Sequence, residues 1–217
     1  MKTKMIRPSG VCPRGFTLVE LLVTVAILAV LAGVALSLGN RAVVTARLST
    51  SVSKVRDLGT LVLSHAQEHG DRLPVWQDGE DYWWKQIAAD AESDPEPLFK
   101  SPAHNEFDRD RLDATISYGW NAVVVGRSVN ADDFGDTGQR RVSEFARPSR
   151  ILVLVDGSRE NGYGIVEPGG ALPDPERYGG RVAALMLDGT GVILNAGADF
   201  KADSKWFNHP STLSAAR

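Results

Sequence analysis

The longest apolar stretch of the chain covers residues 16–38 and contains one charged side chain, Glu20. A helix of about 20 predominantly apolar residues is long enough to cross the hydrocarbon core of a bilayer. An ionisable group inside such a helix is energetically costly and commonly marks a functional position. The pattern therefore predicts a transmembrane helix over residues 16–38, and the presence of Glu20 in it needs a physical reason.

Helical periodicity continues beyond this stretch. Apolar residues recur at spacings of three and four, which is typical of an amphipathic helix, at Val44, Leu48, Val52, Val55, Leu58, Val62 and Ala66. Gly70 and Pro74 indicate where this helix ends. We therefore expect a stalk helix over residues 39–70 that packs its apolar stripe on a globular head. Bends are expected at the glycines of the long helix, which are Gly33, Gly39 and Gly59.

After residue 70 the pattern changes to that of a globular domain. Segments rich in aromatic and β-branched residues favour strands, and they lie at residues 115–125, 151–155, 163–166, 182–187 and 190–195. Asp188-Gly189, between the last two segments, predicts a two-residue type I′ hairpin turn. A short helix predicted over residues 81–90 has an expected inner face of Trp84, Ile87 and Ala88. The expected fold class is α+β, with an antiparallel sheet packed on the long N-terminal helix.

These elements divide the chain into a leader (1–15), a transmembrane helix (16–38), a stalk helix (39–70) and a head (71–217). The leader holds four of the 24 Lys and Arg residues and none of the 27 acidic residues. The more positive flank of a membrane helix tends to stay in the cytoplasm, so we expect the head on the other side. The acidic remainder argues against a nucleic-acid partner. The only cysteine, Cys12, lies in the leader, so the head has neither a disulfide nor a Cys-based zinc site.

The apolar segment by itself admits two ordinary interpretations. A secretory signal peptide would have an apolar stretch of about 7–15 residues followed by small residues for cleavage, which Gly33-Val34-Ala35 would supply. The observed stretch is longer and carries Glu20. An uncleaved anchor would have the right length but would leave Glu20 unexplained.

A third interpretation comes from residues 15–20, "GFTLVE", which follow the short basic leader. They resemble the prepilin signature of type IV pilins and type II secretion pseudopilins. The resemblance implies that a prepilin peptidase/methyltransferase cuts after Gly15 and N-methylates Phe16. It also implies a single-pass protein of the bacterial inner membrane, with its head in the periplasm, that joins other pilin-like subunits on an inner-membrane assembly platform.

The resemblance gives Glu20 a role in assembly. After cleavage Phe16 carries a free amine, and unpaired charges in a low-dielectric environment are unfavourable. One helix is not expected to bring its own Glu20 back to its own terminus, whereas an axially shifted neighbour can offer its amine. We therefore expect Glu20 to set the register between subunits of a fibre.

The head resembles a pseudopilin-like subfamily in "SYGWN" (117–121), "RPSRILVLVDG" (147–157) and "RYGGRVAALMLDGTG" (177–191). That subfamily has a closing element of a histidine, nine residues and Asp-Gly. Tyr178 stands at the histidine position, and Ser101 stands where the subfamily usually has the cysteine of a Cys-Pro pair. Any role of that histidine therefore does not carry over to this chain.

Two groups of residues raise the possibility of a metal. His65, Glu68 and His69 match H-x-x-E-H, in which two histidines share a helix face. No third ligand is identifiable, so we expect the polar end of the stalk helix and no metal there. Asp156, Asp188 and an aspartate-rich loop at 132–136 are candidates for Ca²⁺, although Asp-Gly pairs are also typical of plain turns. No other cofactor is expected.

The leading functional interpretation is a structural pseudopilin, and no catalytic activity is expected because neither G-x-S-x-G nor a phosphate-binding glycine loop occurs. One alternative is a subunit of a type IV pilus, for adhesion or DNA uptake. Another is a membrane-tethered ligand-binding module whose aromatic cluster forms a platform for a carbohydrate or peptide.

Overall fold

A computed structural model of the chain describes residues 16–91, 94–129, 138–157, 164–168, 170–197, 199–201 and 204–207. Contacts between residues divide the chain into two compact units, Met1–Ala42 and Val43–Arg217. The second unit combines helical and strand elements around a central sheet, which confirms the predicted α+β class. The boundaries predicted for the leader and the transmembrane helix stay predictions.

The long helix, α1, is continuous from Leu18 to Glu68 and includes both the apolar segment and the stalk. It passes through Gly33, Gly39 and Gly59 without interruption. The helix ends where Gly70 adopts a positive φ of 67°, a conformation that favours glycine. The amide of Asp71 then donates to the carbonyl oxygen of Ala66 at 2.7 Å, which closes the last turn.

The other helices are short: α2 is Trp83–Ala89, α3 is Glu96–Phe99, α4 is Leu112–Thr115 and α5 is Ala122–Val125. The strands are β1 (Gln77–Asp78), β2 (Asp81–Tyr82), β3 (Tyr118–Asn121), β4 (Leu152–Asp156), β5 (Ile165–Val166), β6 (Arg181–Met186) and β7 (Gly191–Asn195). β1 and β2 form a small antiparallel pair. The other five form one sheet in the order β5-β3-β4-β6-β7. All its pairings are antiparallel except that of β5, which lies parallel to β3.

The sheet separates two apolar layers. On one face it packs against the stalk half of α1, whose predicted stripe is buried from Leu48 to Ala66. The sheet residues in this layer include Trp120, Leu154 and Leu185. The opposite face is covered by a second cluster of Leu152, Val155, Val166, Val182, Ala184, Met186, Ala196, Phe200, Trp206 and Phe207. Successive residues of β6 from Val182 to Met186 alternate between the two layers, as the pleat of a strand requires. In β4 the alternation is interrupted at a bulge between Leu152 and Leu154, so that Val153 and Leu154 both belong to the layer that contains α1.

Two glycines allow the stalk backbone to lie close to the sheet. A Cβ on Gly59 would lie 2.6 Å from Cδ1 of Leu185. A Cβ on Gly191 would lie 2.9 Å from the carbonyl oxygen of Val52 and 2.8 Å from Cγ of Arg56. Gly59 is therefore a packing residue of α1, in addition to being a predicted bend.

Three details of the head differ from the sequence expectation. The segment predicted as a strand over 115–125 forms β3 only at Tyr118–Asn121, and Ala122–Val125 turns into the helix α5. The change from strand to helix comes directly after Asn121, whose side-chain amide donates to the carbonyl oxygens of Leu152 and Trp206 at 3.0 and 2.8 Å, so tertiary contacts override the β-propensity of residues 122–125.

The hairpin at Asp188-Gly189 exists, but the prediction of a two-residue type I′ turn is wrong. The amide of Gly189 donates to the carbonyl of Met186, and the amide of Met186 donates to the carbonyl of Thr190. This makes a three-residue loop in which Gly189 has a φ of 83°, whereas a type I′ turn needs positive φ at two residues. The loop is longer because Leu187 leaves the ladder with β7 and donates to Ile151.

The short helix begins later than predicted. Asp81 and Tyr82 pair with β1, so α2 starts at Trp83. Its buried residues are Trp83, Trp84 and Ile87, whereas Ala88 is only partly buried. The predicted strand over 163–166 is present as β5, Ile165–Val166, and its residue 163 lies outside the described residues.

We predict that Gly191→Ala lowers the free energy of unfolding of the head by about 1–3 kcal/mol, because the new methyl group overpacks the interface with α1. Gly197→Ala is the matched control, since Gly197 is exposed and a Cβ there meets nothing within 4 Å. Urea unfolding of the full chain in detergent reports on the head through its five Trp residues, all of which lie after residue 75. Equal stability of the two variants would contradict the close approach at Gly191.

Candidate functional site

The N-terminal part of α1 presents a continuous apolar surface. Every side chain described within residues 16–43 is exposed, including Phe16 at 77% and Leu18 at 78%. Soluble proteins rarely expose contiguous apolar patches larger than a few hundred Å². In the described part of the chain, α1 is the one helix that is long and apolar enough to cross a membrane. This surface therefore has to be covered by lipid or by other helices.

Glu20 lies at the first turn of this helix and caps it. The Thr17 amide and hydroxyl donate to Oε2 of Glu20 at 2.9 and 2.8 Å, and the Glu20 amide donates to the Thr17 hydroxyl at 3.2 Å. This reciprocal arrangement is a capping box, for which Thr-x-x-Glu is the sequence signal. Sequence reasoning missed the role of Thr17 although that signal is present at residues 17–20.

The capping box gives Glu20 a partner that was not expected from the sequence, because its carboxylate accepts from the Thr17 amide, next to Phe16. This contact forms because side chains in a helix point toward its N-terminus, which carries unpaired amides. Glu20 therefore has partners within one chain, and its pairing with a neighbouring amine stays a prediction. A contact of Glu20 with the free amine of its own Phe16 after cleavage is a different one, and the expectation that it does not form also stays a prediction. Gly15 lies outside the described residues.

A second group of polar residues is buried in the head around Asp156, one of the predicted Ca²⁺ ligands. Its Oδ2 accepts hydrogen bonds from the Ser51 hydroxyl of α1 at 3.1 Å and from the Ala183 amide of β6 at 2.9 Å. Its Oδ1 lies 3.6 Å from Nη1 of Arg177, and both side chains are fully buried. Burial raises the pKa of the Asp156 carboxyl, and the Arg177 guanidinium opposes that shift. Asp156 thus joins α1, β4 and β6 through polar contacts.

The two positions at which the head departs from the resembled subfamily contact each other. The hydroxyls of Tyr178 and Ser101 share a hydrogen bond of 2.6 Å, and both residues are buried. Sequence comparison placed these residues 77 positions apart with no link between them. In the structure the two hydroxyls form one buried polar contact.

The structure does not bring the calcium candidates together. Asp188 is exposed in the β6–β7 loop, where its carboxylate accepts from the Thr190 amide at 2.9 Å, which is ordinary turn chemistry. Asp156 ends β4 beside Tyr118, whereas the loop follows Met186, which pairs with Leu152 at the other end of β4. The aspartates at 132, 133 and 136 lie outside the described residues. Calcium binding stays a prediction.

One expectation about the stalk is wrong, namely that the two histidines lack a third ligand. Asp90, which follows α2, places Oδ2 2.5 Å from Nδ1 of His65 and 3.6 Å from Nδ1 of His69. The two imidazole rings stack with centroids 4.1 Å apart. Sequence spacing could not identify Asp90, because only the packing of α2 on α1 brings it there. Glu68 of the motif is exposed and interacts with Ser64 instead.

The aromatic residues of the head mostly belong to its core. Trp83, Trp84 and Trp120 are at most 2% exposed, and the Trp83 indole donates to the carbonyl of Gly164 at 2.9 Å. These three residues are therefore too buried to form the aromatic platform that the alternative of a ligand-binding module would need. A surface cleft of about 540 Å³ lies beside Tyr82, and its charged lining includes Lys85 and three aspartate or glutamate side chains.

Comparison with known proteins gives one match. Residues 12–36 match the family model described as the prokaryotic N-terminal methylation motif. The match confirms the prepilin-type signature and supports a relationship to the type IV pilin-like family, whose members are generally structural rather than enzymatic. No curated protein and no solved structure shows significant similarity to the chain.

We predict that Arg177→Met lowers the free energy of unfolding by about 3–5 kcal/mol at pH 7, because it leaves the Asp156 carboxylate buried without its cation. The loss should be smaller below about pH 4. Asp156 has a raised pKa in the folded state, so its contribution to stability is fully present below the unfolded value and falls as the pH rises through the folded one. Without Arg177 that fall becomes larger.

Urea unfolding at several pH values measures this difference, with Arg150→Met as the control because Arg150 is exposed. The exposed variant should stay within about 0.5 kcal/mol of the parent chain. A loss in Arg177→Met that does not change between pH 4 and pH 7 would rule out an ionised Asp156 as its cause.

Proposed function

We propose that the chain is a structural pseudopilin, processed by a prepilin peptidase and assembled through its N-terminal helix into a periplasmic fibre of a type II secretion-like system. The observation that carries the proposal is the coincidence of two features in one segment. Residues 12–36 match the N-terminal methylation motif, and α1, which begins within them at Leu18, exposes an apolar surface in which Glu20 is the one charged side chain up to residue 38.

Two environments are able to cover this surface, namely lipid and other helices. An apolar helix of this length is stable in a bilayer, and the motif is consistent with membrane anchoring. When subunits leave the bilayer for a fibre, neighbouring copies of the same helix take the place of lipid. Lipid tails are as apolar as the helix, so this exchange gains little hydrophobic free energy, and close packing of the helices together with polar contacts such as those of Glu20 has to favour the fibre.

Glu20 has two sets of partners under this proposal. In a single subunit the capping box with Thr17 satisfies the carboxylate. In a fibre the N-methylated amine of Phe16 from a neighbour adds an opposite charge, which is worth more than a neutral hydrogen bond in a low-dielectric environment. The carboxylate thus favours one axial register between subunits over the others.

The proposal places the basic leader in the cytoplasm and the head in the periplasm, by the distribution of Lys and Arg. A structural role also suits the head, because its polar network around Asp156 and Tyr118 is buried and out of reach of a substrate. A subunit of a type IV pilus would have the same N-terminal segment. The two alternatives differ in whether the fibre is confined to the periplasm or extends from the cell surface.

We predict that the chain recovered from its native membrane begins at N-methyl-Phe16. Mass spectrometry of the intact chain should show the loss of residues 1–15 and the gain of one methyl group. Gly15→Ala should block cleavage, because the residue before the cut is part of the recognised motif, and should leave a product larger by the leader. A native chain that keeps the leader, or that begins near Leu36 as a signal peptide would require, would contradict the proposal.

We predict that Glu20→Gln permits cleavage but lowers the yield of fibres by at least about tenfold, because it removes a charge-assisted pairing worth roughly 1.5–3 kcal/mol. Thr17→Val is the matched variant. It removes the hydroxyl contacts of the capping box and leaves the Glu20 charge in place.

Sheared fibres, quantified by immunoblot against total processed subunit, measure both variants. Fibre yield in Thr17→Val should stay within about twofold of the parent chain, since loss of a cap costs about 1 kcal/mol of helix stability without removing the carboxylate. An equal loss of fibres in the two variants would mean that Glu20 acts through capping and not through pairing between subunits.

A further inference from the structure

The end of the stalk helix carries a compact group of metal-binding side chains that the proposed function does not use. His65 and His69 lie one turn apart near the end of α1, and Asp90 lies directly after α2. One donor atom from each of the three residues lies within 4.8 Å of the other two. Imidazole nitrogen and carboxylate oxygen are the ligands that Zn²⁺ and neighbouring divalent transition metals take in proteins that lack cysteine ligands.

The spacing of these atoms is close to that of ligands on one ion. Bonds of about 2.0–2.2 Å in a tetrahedral site place two ligand atoms roughly 3.3–3.5 Å apart. Nδ1 of His69 already lies 3.6 Å from Oδ2 of Asp90. Nδ1 of His65 lies 2.5 Å from the same oxygen, a hydrogen bond that would open by about 1 Å to admit an ion.

The surroundings of the three residues also suit a cation. In the described part of the chain, the carboxylate of Asp90 contacts the two imidazoles and not Lys or Arg. His69 is 46% exposed, so its ring is able to exchange its 2.9 Å contact with the His65 carbonyl for an ion.

We propose that His65, His69 and Asp90 form a site for a divalent transition metal, Zn²⁺ in the first place, with solvent at the remaining position. The site has three protein ligands and an open side at His69, and it contains no sulfur. Such a ligand set favours Zn²⁺ over Ca²⁺ and Mg²⁺, which prefer all-oxygen surroundings. It is distinct from the calcium site considered for Asp156 and Asp188.

The metal would join the end of α1 to the residue that follows α2, which are distant in sequence. About 20 residues, which form β1, β2 and α2, separate His69 from Asp90. An ion bound by both ends closes this segment onto the stalk and restricts the unfolded chain, as a cross-link does. The binding energy therefore contributes to the stability of the head, whether or not the N-terminus has been processed.

Titration of the full chain with Zn²⁺ tests the site directly. The protein is purified in detergent without a histidine tag, stripped with EDTA and titrated against a chromogenic chelator. We expect one Zn²⁺ per chain, and an affinity weakened by at least about 10–100-fold in His69→Ala and in Asp90→Asn. Glu68→Gln is the matched control on the same turn. It should bind within about twofold of the parent chain, because Glu68 faces Ser64 and is not a ligand.

Two further measurements separate metal binding from misfolding. Zn²⁺ at about 100 times its Kd should raise the Tm of the head by about 5 °C or more in the parent chain and not in Asp90→Asn. Co²⁺ should give visible absorption bands in the parent chain that disappear in His69→Ala. His69 is half exposed, so this variant should retain the tryptophan fluorescence of the folded head.

Three results would overturn the proposal. They are the absence of stoichiometric Zn²⁺ binding, binding that survives both His69→Ala and Asp90→Asn, and a loss of affinity in Glu68→Gln as large as in the ligand variants. The second result would assign any bound ion to His104, His209 or the surface instead.

Discussion

The packing of one apolar helix stripe against one face of a five-stranded sheet is the interaction on which the head depends. The stripe from Leu48 to Ala66 is buried against β3, β4 and β6, and each large apolar side chain contributes roughly 1.5–3 kcal/mol. Gly59 and Gly191 allow the helix and the sheet to approach at a distance that no larger residue permits. The contacts of Ser51 with Asp156 and Tyr118 join α1 to the sheet, so their geometry follows from this packing.

The buried polar network makes this packing specific. A hydrophobic stripe alone tolerates sliding of a helix along a sheet, whereas Ser51 must meet Asp156 and Tyr118 at one position. Each buried polar group that lost its partner would carry a desolvation cost of about 1–3 kcal/mol. The pair formed by Ser101 and Tyr178 acts in the same way near the surface of the core. The network therefore selects one register among those that the apolar contacts allow.

The N-terminal half of α1 differs from the head in that none of its described side chains is buried within the chain. Under the proposed function its apolar surface is covered from outside the chain, first by lipid and then by other helices. Within one chain, Thr17 donates to the carboxylate of Glu20. Under the proposed function the charge of Glu20 also pairs with the amine of a neighbouring copy. The head is thus stabilised by packing within the chain, whereas the apolar N-terminal segment depends on what surrounds the chain.

The sequence by itself determined the features that repeat along the chain or occur as a local motif. The apolar segment, the stripe of the stalk and the prepilin signature at residues 15–20 are of this kind, because periodicity and short motifs record which faces are covered. The α+β class and the positions of all five predicted strands followed from the same patterns, although their bounds shifted. The capping box of Thr17 and Glu20 was also present in the sequence and was not used.

Only the tertiary structure decided which distant residues meet. Asp90 approaches His65 across 25 positions, Ser101 meets Tyr178 across 77, and Ser51 meets Asp156 across 105. The conversion of 122–125 into a helix and the three-residue loop at Gly189 likewise depend on neighbours far away in the chain. No local pattern encodes these contacts, because they arise from the crossing of α1 over the sheet and of α2 over α1, and that crossing is fixed by the packing of the whole core.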